Sequence, residues 1–342
     1  MDLRLSNLPG KLRKITATLR PSVCLVLSVS ALLAVTGSAH GNVSLFVEEP
    51  YGLFGSVNPT GHSAIYLNRV CAQSPTMLRR CQPGETGVVI SRYSRVKKFD
   101  WIAIPLIPYL YAVDHAEDVP EWAEKASVDK LRKQYAEAHL TSLVSASEGF
   151  DAKNVWPQLL GVAYIRKIYS FEIATTDEQD DFLISEYNDG ANRSHFNLFT
   201  NNCADFSRRV LNFYYPHAVT RSITADLGIT TPKQIAKALA NYAHRHDGLE
   251  LNEIIIPQIP GDGPRSHTPR GVVESLLKTK KYMVPIGVLN PYILAGIAVT
   301  YIVNGRFELA KHGSVIPVWE QEHMLAGSIN DEPTTALEES RP

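Results

Sequence analysis

The first forty residues set the conditions under which the rest of this chain folds. Arg4, Lys11, Arg13, Lys14 and Arg20 precede an uncharged run, Pro21 to Ala39, that closes on small residues before "HGN". Basic, then apolar, then small is the order of a secretory signal, with cleavage expected after Ala39. The run also approaches the length of a bilayer span, so an uncleaved N-terminal anchor over residues 1–39 is the alternative. Either way the remainder is expected to leave the cytosol, for the periplasm or the outer face of a bacterial membrane. In an oxidising compartment a thiol is paired or has a reason to stay free.

That condition sorts the four cysteines. Cys24 lies inside the apolar run, with no small residue of lipoprotein type before it. Cys71 and Cys81 flank "AQSPTMLRR", whose Ser74 and Pro75 favour a turn, and a disulfide is expected to close that loop. Cys203 is left over, and an odd thiol in an exported chain points to reactivity. The rest of the composition is ordinary: 342 residues, 44% hydrophobic and 20% charged, with room for a substantial core. A formal net charge of −1 gives no support for nucleic acid as a partner, which calls for a basic excess or stripe.

The elements read as α+β. "HSAIYL" (62–67) and "TGVVISRYS" (86–94) alternate or carry β-branched cores, and are expected to form an antiparallel hairpin with the disulfide at its tip. "WIAIPLIPYLYAV" is too rich in proline for a continuous helix and reads as a buried strand and a turn. Helical composition fills 119–144. "YIRKIYSFEIAT" (164–175) is expected to be a strand, and Thr176 followed by acids opens a helix that stops at Asp189-Gly190. Pro232 suits the first turn of another helix. Residues 257–271 break regular structure repeatedly and read as a linker between a catalytic domain, 40–256, and an apolar segment, 272–306; 307–342 reads as a tail. Tyr282 to Val303 holds no charge, so it is expected either to meet a membrane or to be a buried element.

In "FNLFTNNCADFSRRVL" (196–211), Asn202 can cap a helix that starts at Cys203, with Asp205 adding favourable charge in the first turn. A sulfur at a helix N-terminus is held where free N–H groups stabilise the thiolate. A thiol nucleophile wants a histidine base and a third group to orient the ring. His62 ranks first, opening a strand beside Gly61; His195, eight residues before the cysteine, is the competitor, and His115 and His217 rank lower. "HRH" at 244–246 reads as an exposed helix end, so no metal and no cofactor is expected. With a turn centred near Thr76, His62 would stand opposite Ile90, which brings Ser91 to Tyr93 beside its ring. A hydroxyl of Ser91 or Tyr93 is the orienting candidate.

"TGHSAIYL" followed much later by "NLFTNNCADFSRRVL" resembles the circularly permuted branch of the NlpC-type papain-fold cysteine hydrolases, akin to the lecithin retinol acyltransferase-like enzymes. The shared Asn-Cys-x-x-Phe block is Asn202, Cys203 and Phe206, and the resemblance covers Phe46 to about Tyr215. It implies an antiparallel sheet with the cysteine-bearing helix packed on it, Cys203 as nucleophile and His62 as base. The family's third polar residue has no unambiguous match. Acyl transfer through Cys203 would use its own backbone N–H as oxyanion donor, with the Asn201 or Asn202 side chain as a further donor. The implied partners are peptide or acyl substrates of the cell envelope. A peptidase or amidase on cell-wall peptides leads; a membrane-associated lipid acyltransferase or esterase and a non-catalytic binding or scaffolding module are the alternatives.

Overall fold

The computed structural model describes residues 41–52, 59–93, 96, 99–143 and 156–316. The expected signal or anchor and most of the expected tail lie outside them. Seven strands form one sheet in the order β6-β5-β2-β1-β7-β8-β9. They are β1 (Gly41–Glu48), β2 (His62–Leu67), β5 (Val88–Ser91), β6 (Ile102–Pro105), β7 (Ile168–Thr175), β8 (Asn252–Ile256) and β9 (Ser314–Val315), while β3 (Val70–Ser74) and β4 (Met77–Arg80) make a separate ribbon. Every pairing is antiparallel except β8 with β9.

Alternation along the central strands builds two cores, one on each face. Val43, Leu45, Val47, Ile65 and Leu67 point to one, and Phe46, Ala64 and Tyr66 to the other. The second face is covered by α1 (Leu106–Tyr111) and α2 (Lys125–His139), with a single turn, α3 (Trp156–Leu159), nearby. The first is covered by α4 (Asp177–Asp189), α5 (Cys203–Tyr214) and α7 (Pro232–Ala243), with the short α6 (Ile223–Asp226) between the last two in sequence. Phe206, Val210, Leu211 and Tyr214 form the buried stripe of α5, at the i, i+4 and i+3 spacings that put side chains on one helical face. The α+β arrangement, an antiparallel sheet with the cysteine-bearing helix packed on it, is therefore present. The remaining helices are α8 (Val272–Lys278), α9 (Lys280–Leu289) and α10 (Pro291–Thr300); among the described residues no helix is long and apolar enough to cross a membrane.

Four readings change. The expected hairpin exists as β2 against β5, but Ile65, not His62, stands opposite Ile90. The chain between them is not one tip; it forms the β3–β4 ribbon, where Cys71 and Cys81 are joined with their Cα atoms 4.9 Å apart. The strand at 102–105 runs on into α1 rather than a turn, because Pro108 sits in the first turn, where a missing N–H costs no helical bond. Residues 257–271 are not a free linker. Ile259 is buried, and backbone bonds run from Ile259 N to Ala163 O, Asp262 N to Ala123 O, His267 N to Pro50 O and Arg270 N to Pro59 O. The described residues belong to one compact unit, and β9 lies within the stretch expected to be tail.

Candidate active site

Helix α5 begins at Cys203 because Asn202 and Asp205 form a capping box: the Asn202 side chain accepts the Asp205 N–H at 2.9 Å, and Asp205 accepts the Asn202 N–H at 3.3 Å. Asp205 is buried and further held by Thr230 Oγ1 at 2.6 Å and Arg221 at 2.6 Å. The helix is fixed to β2 by a buried hydroxyl pair, Ser63 Oγ to Ser207 Oγ at 3.0 Å. These contacts bring the half-buried Cys203 sulfur into hydrogen-bonding contact with the His62 ring and with the Ser63 backbone N–H.

Behind the ring, His62 Nε2 lies 2.9 Å from Ser91 Oγ. The single hydroxyl proton of Ser91 goes to Ser63 O at 2.8 Å, so Ser91 accepts from the ring. That fixes the proton on Nε2 and leaves the Nδ1 lone pair for the thiol. Tyr93 stacks on the imidazole, ring centroids 5.2 Å apart. Its hydroxyl lies beside those of Ser91 and Tyr109. Tyr109 in turn donates to the Glu48 carboxylate, whose other oxygen accepts from Arg166 Nη1 at 2.6 Å. Glu48 and Arg166 are both buried, and Glu48 is the β1 residue that pairs directly with His62.

The electrostatics follow. Burial pulls the His62 pKa down, but the Cys203 thiolate and the Glu48 carboxylate outweigh it, so the ring titrates above its ordinary value. Burial pushes the Cys203 thiol up, and the His62 charge and hydrogen bond together with the Ser63 N–H outweigh that, so the thiol falls below its ordinary value. Both shifts favour a thiolate–imidazolium pair.

Further positions differ from expectation. The Asn202 amide donates to Leu198 O at 2.9 Å and Thr230 O at 3.1 Å, and the Asn201 amide to Ser194 Oγ and His195 O, both at 2.7 Å. Neither has an N–H left for an oxyanion, which removes both side chains from that role. The Cys203 N–H, at the first position of α5, has no partner within its helix. His195 is exposed, as are His115, His217, His244 and His246, and none of them lines the cleft at Cys203. That cleft, with about 90 Å³ of room for water, is walled by Tyr51, Gln158 and Arg166 from one layer and by Leu198, Asn202, Thr230 and Pro232 from the other.

No protein-family model matches the chain, and no curated protein matches it. Among solved structures, the crystal structure of the type VI secretion system effector TseH is similar over 65% of this chain and 95% of that one, with 13% identity and a TM-score of 0.29. A likeness this slight does not bear on the site, which stands on its own geometry.

Sequence reading did not find Glu48 and Arg166. The available signals were an acid closing the apolar strand "NVSLFVEE" and a basic residue at the entry to a later apolar strand in "YIRKIYSF". Nothing local says that residues 118 positions apart meet.

Proposed function

We propose that this protein is an exported cysteine hydrolase that works through an acyl-enzyme. The observation that carries the reading is the Cys203–His62–Ser91 alignment: a thiol lowered in pKa at a helix N-terminus, facing an imidazole whose tautomer a serine fixes. In the first step Cys203 Sγ attacks an amide or ester carbonyl, forming the S–C bond, while the proton held by His62 passes to the leaving amine or alcohol. The Cys203 N–H supports the developing oxyanion. Water, deprotonated by His62, then cleaves the thioester and regenerates the thiol. The order of histidine strand before cysteine helix supports membership of the permuted NlpC-type group, and the Cys71–Cys81 disulfide supports an oxidising location.

Peptides and amides of the cell envelope are the leading substrate class. The lipid-directed reading has one observation of its own, the exposed apolar helices α9 and α10. A burst of p-nitrophenol from p-nitrophenyl acetate, stoichiometric with protein and absent from both Cys203→Ala and His62→Ala, tests the acyl-enzyme; a slow rate that neither variant changes refutes it. Peptidoglycan fragments and phospholipid vesicles incubated side by side then separate the substrate classes.

A further inference from the structure

Helices α9 and α10 carry apolar side chains that the rest of the molecule leaves uncovered. They form a hairpin: Asn290 alone joins them, Gly287 lies against Leu294, and α10 returns to pack on α8. At the tip Val288, Leu289 and Tyr292 are 79%, 84% and 86% exposed, and no residue of α10 is buried. A helix that is apolar around its whole circumference belongs in a protein interior or in lipid. A protein partner would cover one face, whereas this tip is bare on every side.

Three further observations favour lipid. The first is reach: each helix has ten residues, about 15 Å long at 1.5 Å per residue, which matches half of a bilayer core roughly 30 Å thick. The second is the turn itself. The Asn290 N–H bonds Ile286 O at 2.8 Å, the Asn290 side chain accepts the N–H groups of Tyr292 and Ile293 at 3.1 Å each, and Pro291 has no N–H. A tip whose backbone donors are satisfied internally can enter hydrocarbon without leaving an N–H unpaired. The third is charge. No residue from Tyr282 to Gly305 is charged, while in sequence Lys280 and Lys281 open α9 and Arg306 and Lys311 follow α10, the order that meets anionic headgroups at the base of the hairpin.

The base is fastened to the body. Tyr301 Oη donates to Glu274 at 3.4 Å, and Glu274 is gripped by Lys233 at 2.7 Å and Lys278 at 2.6 Å. Val272 N donates to Asp226 at 2.6 Å, and Asp226 also accepts from Thr231, between the cleft residues Thr230 and Pro232. We propose that the α9–α10 hairpin inserts into one leaflet of an anionic phospholipid bilayer and holds the Cys203 cleft at the membrane surface. This does not depend on the catalytic reading.

The test uses the full chain with Cys24→Ser, Cys203→Ser and Leu289→Cys, labelled with an environment-sensitive NBD fluorophore, and a second label at Lys125→Cys on α2. Vesicles of phosphatidylcholine with one-quarter phosphatidylglycerol should raise emission at position 289 several-fold and shift it to the blue. Phospholipids brominated along the acyl chain should quench it, and position 125 should stay as in buffer. Adding Tyr292→Asp and Val288→Asp should reverse the change at 289. The proposal is overturned if position 289 reports water while vesicles bind or fail to bind the chain. A tip already shielded without lipid, in a species that sediments as a dimer, overturns it as well and assigns the face to a second copy.

Discussion

Replacing Glu48 by glutamine tests whether the buried pair behind the histidine is both structural and electrostatic. Glu48 is fully buried, Arg166 is 4% exposed, and among the described residues Glu48 is the acid that Arg166 bonds, at 2.6 Å. Glu48→Gln keeps the volume and an oxygen for Tyr109 but leaves a guanidinium in the interior without its counter-charge. Breaking such a pair from one side costs roughly 3–5 kcal/mol, and the Arg166 Nε already lacks a hydrogen-bond partner, which argues for the upper part of that range. Urea unfolding measures the loss. In Glu48→Gln/Arg166→Met neither charge remains, and a coupling of about 2–3 kcal/mol is expected from the double-mutant cycle. The second readout is chemical. The Glu48 carboxylate raises the pKa of both His62 and Cys203, so its removal lets both fall. The pH midpoint for alkylation of Cys203 by iodoacetamide, which follows the thiolate, should move to lower pH in Glu48→Gln. Unchanged unfolding free energy together with an unmoved midpoint would refute the reasoning.

Other outcomes follow from single contacts. Ser91→Ala strands the His62 Nε2–H and should cost about 1–3 kcal/mol; its alkylation rate at neutral pH should fall, and Ser91→Thr should restore part of it. Gly61 has φ of +76°, and a Cβ there would overlap the Glu48 carbonyl, so Gly61→Ala should destabilise by more than about 1 kcal/mol; a neutral result in thermal melts would show that the strand entry yields. Closing the loop between Cys71 and Cys81, separated by ten positions, should contribute about 2–3 kcal/mol on the chain-entropy account. Melts of Cys71→Ser/Cys81→Ser against the oxidised protein measure it. If the acyl-enzyme reading is right, activity should rise as Cys203 ionises below the usual thiol range and decline as His62 loses its proton above the usual imidazole range; a bell centred elsewhere counts against the ion pair.

What could be read from the sequence was local. Helix starts at Thr176 and Asn202 were legible because each is a side chain answering an N–H group three residues away, and the start at Pro232 because proline suits a first turn. The cysteine pair was legible because ten residues with a central turn bring both ends together. Register was not: a three-residue offset at Ile90 arose because β3 and β4 form their own ribbon, and the pattern of the outer strands carries no record of it. The ring still meets Ser91 and Tyr93, since the side chain reaches along the strand end rather than straight across. Residues 257–271 looked like a linker because proline and glycine exclude helix and ladder, yet their backbone groups are bonded to Ala163, Ala123, Pro50 and Pro59 instead. Irregular is not the same as loose.

One amide stiffens a whole side of the mouth. The two donors of Asn202 tie Leu198 to Thr230 along the same wall, while its oxygen holds the helix that presents the sulfur. Pushing that wall back for a bulkier guest would have to break a clasp that also anchors the thiol, so any give in the cleft falls to the opposite wall of Tyr51, Gln158 and Arg166.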